Sequence, residues 1–326
     1  MKDLSGWTPA RVYWQDSRSM VDWAYLGNCR FTEPFFTQTI DRCVRRPADL
    51  LFRHQIPLAE LGIIAGSRPS LPPTGFIFHM SRCGSTLISQ MLAAAPENIV
   101  LSEAGPIDLI LRAHFRNPEV SDDQRVQWLR WMVEALSWQR HESEKHVFIK
   151  FDCWHTLFLP LIQRAFPAVP WIFVYREPLE VMVSQLGRRG GHMVPGVLEP
   201  ELFGWDLTAT TQTTLNEYGA RVLAKICGAA LRQFPCGNAK LLNYHQLPEG
   251  IWPALMEHWQ VKFSGGETAR MMAAARMDAK NPVIPFTPDS DPKRAAATPE
   301  LRSLTHQYLD AAYQKLESQR RTHGFS

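Results

Sequence analysis

The chain has 326 residues, of which 45% are hydrophobic and 21% are charged, a composition typical of a soluble globular enzyme and unlike that of a disordered or fibrous protein. Its formal net charge of +3, from 35 basic and 32 acidic residues, is too small to predict a nucleic-acid partner. No stretch reaches the ~20 apolar residues of a membrane-spanning helix, and the first residues lack the apolar core of a signal peptide. We therefore expect no membrane span.

The cysteine pattern bears on metal binding and on the compartment. No C-x-x-C pair occurs among the six cysteines, Cys29, Cys43, Cys83, Cys153, Cys227 and Cys236. Scattered cysteines argue against a zinc cluster or a disulfide framework and are typical of a reducing compartment. The sequence thus predicts a cytoplasmic protein without a bound metal.

Composition divides the chain near residue 70. Residues 1–70 are rich in aromatic side chains but show no clean hydrophobic period, and the stretch GSRPSLPPTG at 66–75 is typical of a linker. We expect 1–70 to be an N-terminal extension that packs on the core, and 71–326 to be an α/β domain.

Beyond the linker, apolar runs alternate with helical patterns. The runs predict strands at 76–80, 98–102, 146–151, 171–175 and 240–244. The intervening stretches are long enough for crossover helices, which parallel strands require. The prediction is a three-layer α/β sandwich with a central parallel sheet of about five strands.

The first predicted strand leads into an unusual loop. In FIFHMSRCGSTLISQML (76–92) a small-residue turn is followed by a helix that starts near Gly84. The first turn of a helix attracts anions through its backbone N–H groups and dipole, and Arg82 adds a full charge. Gly84 permits close approach of the backbone, and Ser85 and Thr86 supply hydroxyl groups. The pattern indicates an anion site.

Two familiar phosphate loops do not fit this stretch, and a turn without a ligand remains an alternative. An ATP-binding loop reads G-x-x-x-x-G-K-[ST], but here His79 takes the first glycine position and Ser85 the lysine position. A cysteine phosphatase needs an arginine six residues after its cysteine, and the residue six after Cys83 is Ser89. We interpret Cys83 as a packing residue within the loop.

A family resemblance follows from this loop and from a second motif about 90 residues later. SRCGSTLISQML resembles the 5′-phosphosulfate loop of sulfotransferases that use 3′-phosphoadenosine 5′-phosphosulfate (PAPS). WIFVYREPLEVMVSQL resembles their 3′-phosphate motif, a strand that ends in Arg176, with Pro178 two residues on and Ser184 eight residues on. The guanidinium of Arg176 offers a fork of donors to a phosphate. A surface arginine and a packing serine are the alternative.

The resemblance implies a P-loop-like fold, with PAPS as co-substrate and no metal, and it implies a set of binding residues. The 3′-phosphate is held by Arg176 and Ser184, and the adenine lies near Tyr244, for which core packing is an alternative. Basic residues near Arg276 and Lys280 return to the nucleotide in many members of the family. The 5′-phosphosulfate is held by Arg82, Cys83, Gly84, Ser85, Thr86 and Leu87.

Catalytic candidates follow other strands, whose carboxyl ends share one edge of a parallel sheet. Lys150 resembles the lysine that contacts the transferring sulfonate, and Arg82 supports it. Glu103 resembles a glutamate that acts as general base, although a helix-capping role also fits it. Asp152 stands where cytosolic members carry a catalytic histidine, and the nearest histidine is His155. The base therefore stays open among Glu103, Asp152 and His155.

The functional expectation is transfer of a sulfonate group from PAPS to a hydroxyl or amine. The acceptor is a small molecule, a carbohydrate or a peptide, with no nucleic-acid partner. Two alternatives remain open at this point: a kinase that uses Mg-ATP, and a nucleotide-binding protein without catalytic activity.

Overall fold

The chain begins with a small antiparallel sheet. The structure is a computed structural model that describes residues 4–15, 18–45, 54–206, 212–235, 238–248, 252–287 and 289–323. The sheet has the order β1-β2-β3, with β1 (Trp7–Gln15), β2 (Arg18–Tyr25) and β3 (His54–Pro57). The helices of this segment are α1 (Phe36–Cys43) and α2 (Leu61–Ala65).

These strands were not predicted, and their irregularity explains why. Val12 pairs with Val21, and both side chains are fully buried. The register between β1 and β2 shifts between Pro9 and Arg11. An irregularity of this kind moves the following side chains to the other face, so no strict alternation of apolar residues survives in the sequence.

The central sheet confirms the predicted α/β class. Its strands are β4 (Pro73–His79), β5 (Asn98–Ser102), β6 (His146–Lys150), β7 (Trp171–Tyr175) and β8 (Ala239–Asn243). Their order is β5-β6-β4-β7-β8, and every neighbouring pair is parallel. The runs form strands because they are largely apolar, and every residue of β5 and β7 is buried. The first strand begins at Pro73, inside the stretch expected to be a linker.

Helices cover both faces of this sheet. The crossover from β4 to β5 contains α3 (Ser85–Ala93), and the crossover from β6 to β7 contains α7 (Leu159–Ala165). Because these two connections run in opposite directions across the sheet, the right-handed rule places α3 and α7 on opposite faces. Between β5 and β6 lie α4 (Gly105–Leu111), α5 (Ala113–Arg116) and α6 (Asp122–Leu136), and after β7 follow α8 (Pro178–Gly187) and α9 (Leu215–Gln233).

The C-terminal part closes the edge of the sheet at β8. It contains α10 (Trp252–His258), α11 (Gly265–Ala275), β9 (Met277–Asp278), β10 (Asn281–Pro285), α12 (Ser290–Ala295), α13 (Pro299–Tyr308) and α14 (Asp310–His323). Glu317 of α14 accepts hydrogen bonds from the Tyr175 hydroxyl at 2.5 Å and from the Asn243 amide at 2.8 Å. These buried bonds fix α14 against β7 and β8.

One hydrophobic core joins the two sheets. The buried cluster runs from Leu4 and Val12 in the N-terminal segment to Leu316 in α14. Strand β1 lies against α4 and α6, so the N-terminal segment packs on the helices of the α/β layer. Among the described residues, no helix has both the length and the apolar character needed to cross a bilayer.

Candidate functional site

The loop after β4 has a backbone that ordinary residues rarely adopt. Ser81 has φ +87° and Arg82 has φ +51°, and Gly84 follows with φ +88°. Left-handed backbone at a residue other than glycine costs on the order of 1–3 kcal/mol and persists only where its surroundings hold it. The loop delivers the chain directly into α3, whose first N–H groups have no partner inside the helix. It therefore has the form of an anion cradle.

Gly84 is required by a close neighbour as well as by its φ angle. A Cβ atom at this position would lie 2.8 Å from Cδ2 of Tyr244 and 2.8 Å from Cδ1 of Leu247. The Tyr244 ring also carries the Arg176 guanidinium at 3.9 Å from its centroid. Tyr244 thus packs between the loop and the second motif.

The two sequence motifs meet at one edge of the sheet. Arg82 Nε donates to Ser184 Oγ at 2.8 Å, and Gln185 Nε2 donates to Ser81 Oγ at 3.0 Å. Strands β4 and β7, which carry the motifs, are neighbours, and the chain leaves them in opposite directions. Such a switch point opens a crevice at the carboxyl ends of the strands, where ligands bind in α/β proteins.

The crevice is a cavity of about 410 Å³. Most of the predicted site residues line it, namely Arg82, Cys83, Gly84, Ser85, Thr86, Leu87, Glu103, Asp152, Arg176, Ser184 and Tyr244. Two of the loop residues point their polar groups elsewhere: Leu87 N–H donates to the Gly84 carbonyl at 3.0 Å, and Cys83 Sγ lies 3.1 Å from the Val174 carbonyl. Burial raises the pKa of Cys83 to about 11, in keeping with a packing role.

Positive charge accumulates around the loop. Burial, followed by the charge of Arg188, lowers the pKa of Arg82. Burial and the charges of Arg82 and Lys150 lower the pKa of Lys280 to about 8. An anion bound between such cations would stabilise their charged forms, so this arrangement favours anion binding.

Arg176 is held by acidic side chains. Its Nε donates to Glu180 Oε2 at 2.6 Å, and its Nη2 donates to Asp289 Oδ1 at 2.7 Å and to Ser290 Oγ at 3.0 Å. Arg176 is 3% exposed. The carboxylate of Asp289 therefore occupies a position on the guanidinium that a phosphate oxygen could take.

Glu103 and Lys150 form a close ion pair, of which Glu103 lines the cavity and Lys150 does not. Lys150 is fully buried, whereas the Glu103 side chain is 22% exposed and lines the cavity. Burial alone would raise the pKa of Glu103, but the charge of Lys150 and the neighbouring His79 ring, whose Nε2 lies 3.6 Å from Glu103 Oε1, hold it well below its usual range. The ionised form of Glu103 is therefore favoured at the cavity wall.

The pKa of Asp152 is shifted in the opposite direction. Burial, followed by the charges of Glu103 and Asp108, raises its pKa well above the usual range. A hydrogen bond between Asp152 and Glu103 acts in the same direction, because the protonated carboxyl donates to the ionised one.

His155 lies behind the cavity wall and is fully buried. Its Nδ1 accepts from the Asp152 N–H at 3.2 Å, and its Nε2 donates to Asp108 Oδ1 at 2.9 Å. Trp154 and Arg112 also donate to Asp108, at 2.7 and 2.8 Å. Both nitrogens of His155 are thus used within the fold, which leaves none to accept a proton from a substrate.

The same group is the one set of described residues whose ligand atoms are close enough to hold a metal ion. The atoms of Asp108, Asp152 and His155 lie within 4.8 Å of one another. Arg112, Trp154 and His155 already donate hydrogen bonds to the Asp108 carboxylate. This arrangement fits a hydrogen-bonded support for the cavity wall better than a metal centre.

Several lining residues were not predicted as site residues. Phe35 comes from the N-terminal segment, and its ring centroid lies 5.4 Å from Lys150 Nζ. Burial lowers the pKa of His192 to about 4, and its ring packs 5.7 Å from that of Trp154. Lys280 lines the mouth, whereas Arg276 is exposed outside it. Gln185 also lines the cavity, and its position next to Ser184 in the second motif is its signal in the sequence.

Comparison with known proteins gave matches among solved structures. No family model and no curated protein matches the chain. The chain is similar to the sulfotransferase domain of the Synechococcus PCC 7002 olefin synthase, with 16% identity, a TM-score of 0.47, and coverage of 77% of this chain and 96% of that chain. It is also similar to sulfotransferase STF9 from Mycobacterium avium, with 14% identity, a TM-score of 0.46, and coverage of 76% and 79%. At TM-scores this low the likeness assigns no ligand and no residue role.

Proposed function

We propose that the protein is a sulfotransferase that moves a sulfonate group from PAPS to a hydroxyl or amine of its acceptor. The observation that carries this proposal is the contact between Arg82 and Ser184 in one cavity. It joins a loop suited to a 5′-phosphosulfate to a motif suited to a 3′-phosphate. A donor that carries anionic groups at both ends of its ribose matches this arrangement, whereas ATP lacks a 3′-phosphate.

The donor is oriented by the two motifs. The first turn of α3, the hydroxyls of Ser85 and Thr86, and the Arg82 guanidinium hold the 5′-phosphosulfate. Arg176 and Ser184 hold the 3′-phosphate. Because Asp289 already contacts Arg176 at 2.7 Å, the 3′-phosphate displaces that carboxylate when the donor binds.

The chemical step is an in-line substitution at sulfur. A lone pair of the acceptor oxygen or nitrogen forms the new bond to sulfur, and the bond from sulfur to the bridging phosphate oxygen breaks. The acceptor's proton passes to Glu103, and the electron pair of the broken bond remains on the phosphate of the leaving nucleotide. Lys150 stabilises this developing charge.

The Glu103–Lys150 pair makes the base responsive to the donor. In the present structure the Lys150 charge lowers the pKa of Glu103, which weakens it as a base. An anionic sulfonate beside Lys150 competes with Glu103 for the same charge, so donor binding raises the basicity of Glu103. Glu103 thus becomes an effective base when a sulfonate is present to be transferred.

The proposal is tested by nucleotide binding without any acceptor. Isothermal titration calorimetry compares 3′-phosphoadenosine 5′-phosphate (PAP) with 5′-ADP, each with and without Mg²⁺. We expect tight, metal-independent binding of PAP that requires the 3′-phosphate, and a large loss in Arg176→Ala. Arg276→Ala, at an exposed position outside the cavity, is the matched control.

The opposite pattern would favour a different activity. Equal binding of the two nucleotides, or binding that requires Mg²⁺, would overturn the donor assignment and support a kinase that uses Mg-ATP. Tight PAP binding without transfer to any alcohol, phenol or amine, and insensitive to Glu103 and Lys150, would indicate a nucleotide-binding protein without catalytic activity.

A further inference from the structure

His79 is a buried residue whose ring is bonded at both nitrogens. It is the last residue of β4 and is 5% exposed. Its Nδ1 accepts from the Ser81 N–H at 3.1 Å, and its Nε2 lies 3.0 Å from the Phe151 carbonyl oxygen. The ring therefore bridges the anion-binding loop and the segment that follows β6.

The hydrogen bonds define the tautomer of this ring. Because Nδ1 accepts from a backbone N–H, the proton of the neutral ring is on Nε2 and is donated to Phe151. Glu103 Oε1 lies 3.6 Å from the same nitrogen. Burial, and in the same direction the charge of Lys150, lowers the pKa of His79. The ring is thus neutral and able to accept at Nδ1.

The bond to Ser81 supports the strained part of the loop. Ser81 is 5% exposed and begins the pair of left-handed residues that turns Arg82 toward Ser184. If Nδ1 were absent, the buried Ser81 N–H would lack a partner, which costs about 1–3 kcal/mol. Relaxing the backbone to recover a partner would move the Arg82 side chain and the amides that follow it.

We infer that His79 is a positioning residue that holds the loop in the conformation needed for the 5′-phosphosulfate of the donor. This inference rests on the proposed function, because it assigns the 5′ end of the nucleotide to the loop. The Nδ1 bond to Ser81 sets affinity for the 5′ group. The Nε2 bond to Phe151 fixes the ring against the segment that carries Lys150.

The simplest competing role is that of a space-filling core residue. A residue that only fills volume would tolerate any side chain of similar size, and its loss would weaken the whole fold. A positioning residue depends on one atom, Nδ1, and its loss affects one end of the ligand. Two amide side chains separate these roles, because the Asn amide overlays Nδ1 of histidine and the Gln amide overlays Nε2.

The experiment measures binding of PAP, 5′-AMP and 3′-AMP by calorimetry to the wild type, His79→Asn and His79→Gln. In His79→Asn the side-chain oxygen can still accept from Ser81, so we expect all three affinities to stay within about threefold of the wild type. In His79→Gln the Ser81 bond is lost, so PAP and 5′-AMP should bind about tenfold more weakly. Binding of 3′-AMP, which uses the other motif, should remain unchanged.

Two results would overturn the inference. One is equal weakening of all three nucleotides in His79→Gln, which indicates a general structural role. The other is a 5′-AMP affinity in His79→Asn as low as in His79→Gln. If the wild type binds none of the three nucleotides, the proposed function itself fails, and that result is distinct from both.

A measurement on the wild type covers the case in which His79→Gln does not fold. The ¹⁵N chemical shifts of the imidazole report which nitrogen carries the proton. We expect His79 to have its proton on Nε2 at neutral pH, with a hydrogen-bonded and unprotonated Nδ1. A proton on Nδ1 would rule out acceptance from Ser81 and would overturn the inference.

Discussion

Glu103 and Asp152 are neighbouring carboxyl groups whose pKa values are shifted in opposite directions. Lys150 stabilises the ionised form of Glu103, while burial and the Glu103 charge keep the proton on Asp152. Titratable groups whose environments push their pKa values apart are typical of sites that move protons. Of the two, Glu103 is the one whose ionised form is favoured, and this supports it as the candidate base.

Replacing Glu103 by glutamine tests that role. Glu103→Gln keeps the size of the side chain but cannot take up the acceptor's proton, so we expect turnover to fall by at least about a hundredfold. Affinity for PAP should stay nearly unchanged, because Glu103 lies outside both phosphate motifs. The assay follows release of PAP from PAPS with an acceptor found by screening alcohols, phenols and amines.

The turnover of Glu103→Gln is compared with the PAP affinity of the same variant. Calorimetry with PAP on the same protein preparation provides the control for folding and for the donor site. Comparable losses of turnover and of PAP affinity would contradict the base assignment and assign Glu103 a structural role with Lys150.

At the scale of elements, the start of α12 contacts Arg176 of the second motif. Asp289 and Ser290 both bond to Arg176, and Lys293 forms an ion pair with Asp289 at 2.5 Å. Lys293 also lines the cavity. If a 3′-phosphate takes the place of the Asp289 carboxylate, the Asp289 charge repels that phosphate before binding. After binding, Lys293 is free to pair with the phosphate.

Replacing Asp289 by asparagine therefore tests whether its carboxylate competes with the 3′-phosphate for Arg176, because PAP affinity should then rise. Asp289→Asn removes a negative charge that opposes the 3′-phosphate and frees Lys293, so we expect PAP to bind about three- to tenfold more tightly at low salt. The gain should shrink as ionic strength rises. Calorimetry at about 20 mM and about 300 mM NaCl measures both effects, because charges are screened much more strongly at the higher salt concentration.

Asp291 on the same helix supplies the control. It is exposed, and Asp291→Asn makes the same change in net charge at a position away from Arg176. Weaker PAP binding in Asp289→Asn than in Asp291→Asn would mean that Asp289 orients Arg176 instead of competing with the phosphate.

Elements whose signals are local in the chain were predictable from the sequence. The central strands lie within a few residues of their predicted bounds, because each is a continuous apolar run that ends in a turn. The sequence pattern at 208–234 also predicts a helix, and the structure has α9 at Leu215–Gln233, while residues 207–211 lie outside the described part of the chain. Strand β10 gave no signal, because all five of its residues are exposed.

The site residues were likewise predictable only where their signal is local in the chain. Arg82 and Arg176 follow from strand–turn–helix patterns that a single stretch of sequence contains. Phe35 and Asp289 reach the cavity from segments with no such pattern, and only the folded chain brings them there. His155 shows the reverse: its proximity to Lys150 in sequence suggested a base, but its ring turns toward Asp108.

At the scale of the whole molecule, one continuous core couples the stability of the site to that of the entire chain. The buried cluster joins the N-terminal sheet, the central sheet and α14. The cavity lies against this core at the carboxyl ends of the central strands. The ionisation of a buried group such as Asp152, which is 7% exposed, should therefore change the free energy of unfolding of the entire chain.

Asp152 should make the protein less stable as pH rises. Its folded pKa is raised above the ordinary value of 3.8, so between these two values the folded state holds a proton that the unfolded state has released. Stability is then lost as pH rises through this window, by up to about 1.4 kcal/mol for each unit of pKa shift. Glu103 has a lowered pKa, and its contribution changes only as pH falls below the ordinary glutamate range.

Asp152→Asn removes this dependence while keeping a donor toward Glu103. We expect the free energy of unfolding of Asp152→Asn to exceed that of the wild type at pH 7, with a difference that grows from pH 5 upward and levels off above the folded pKa. Urea unfolding at intervals between pH 5 and 8 measures the difference, in which contributions common to both proteins, including those of His79 and His192, cancel. The exposed replacement Asp291→Asn should run parallel to the wild type across this range. A variant destabilised equally at every pH would show that Asp152 is ionised in the folded protein and that its charge is needed there.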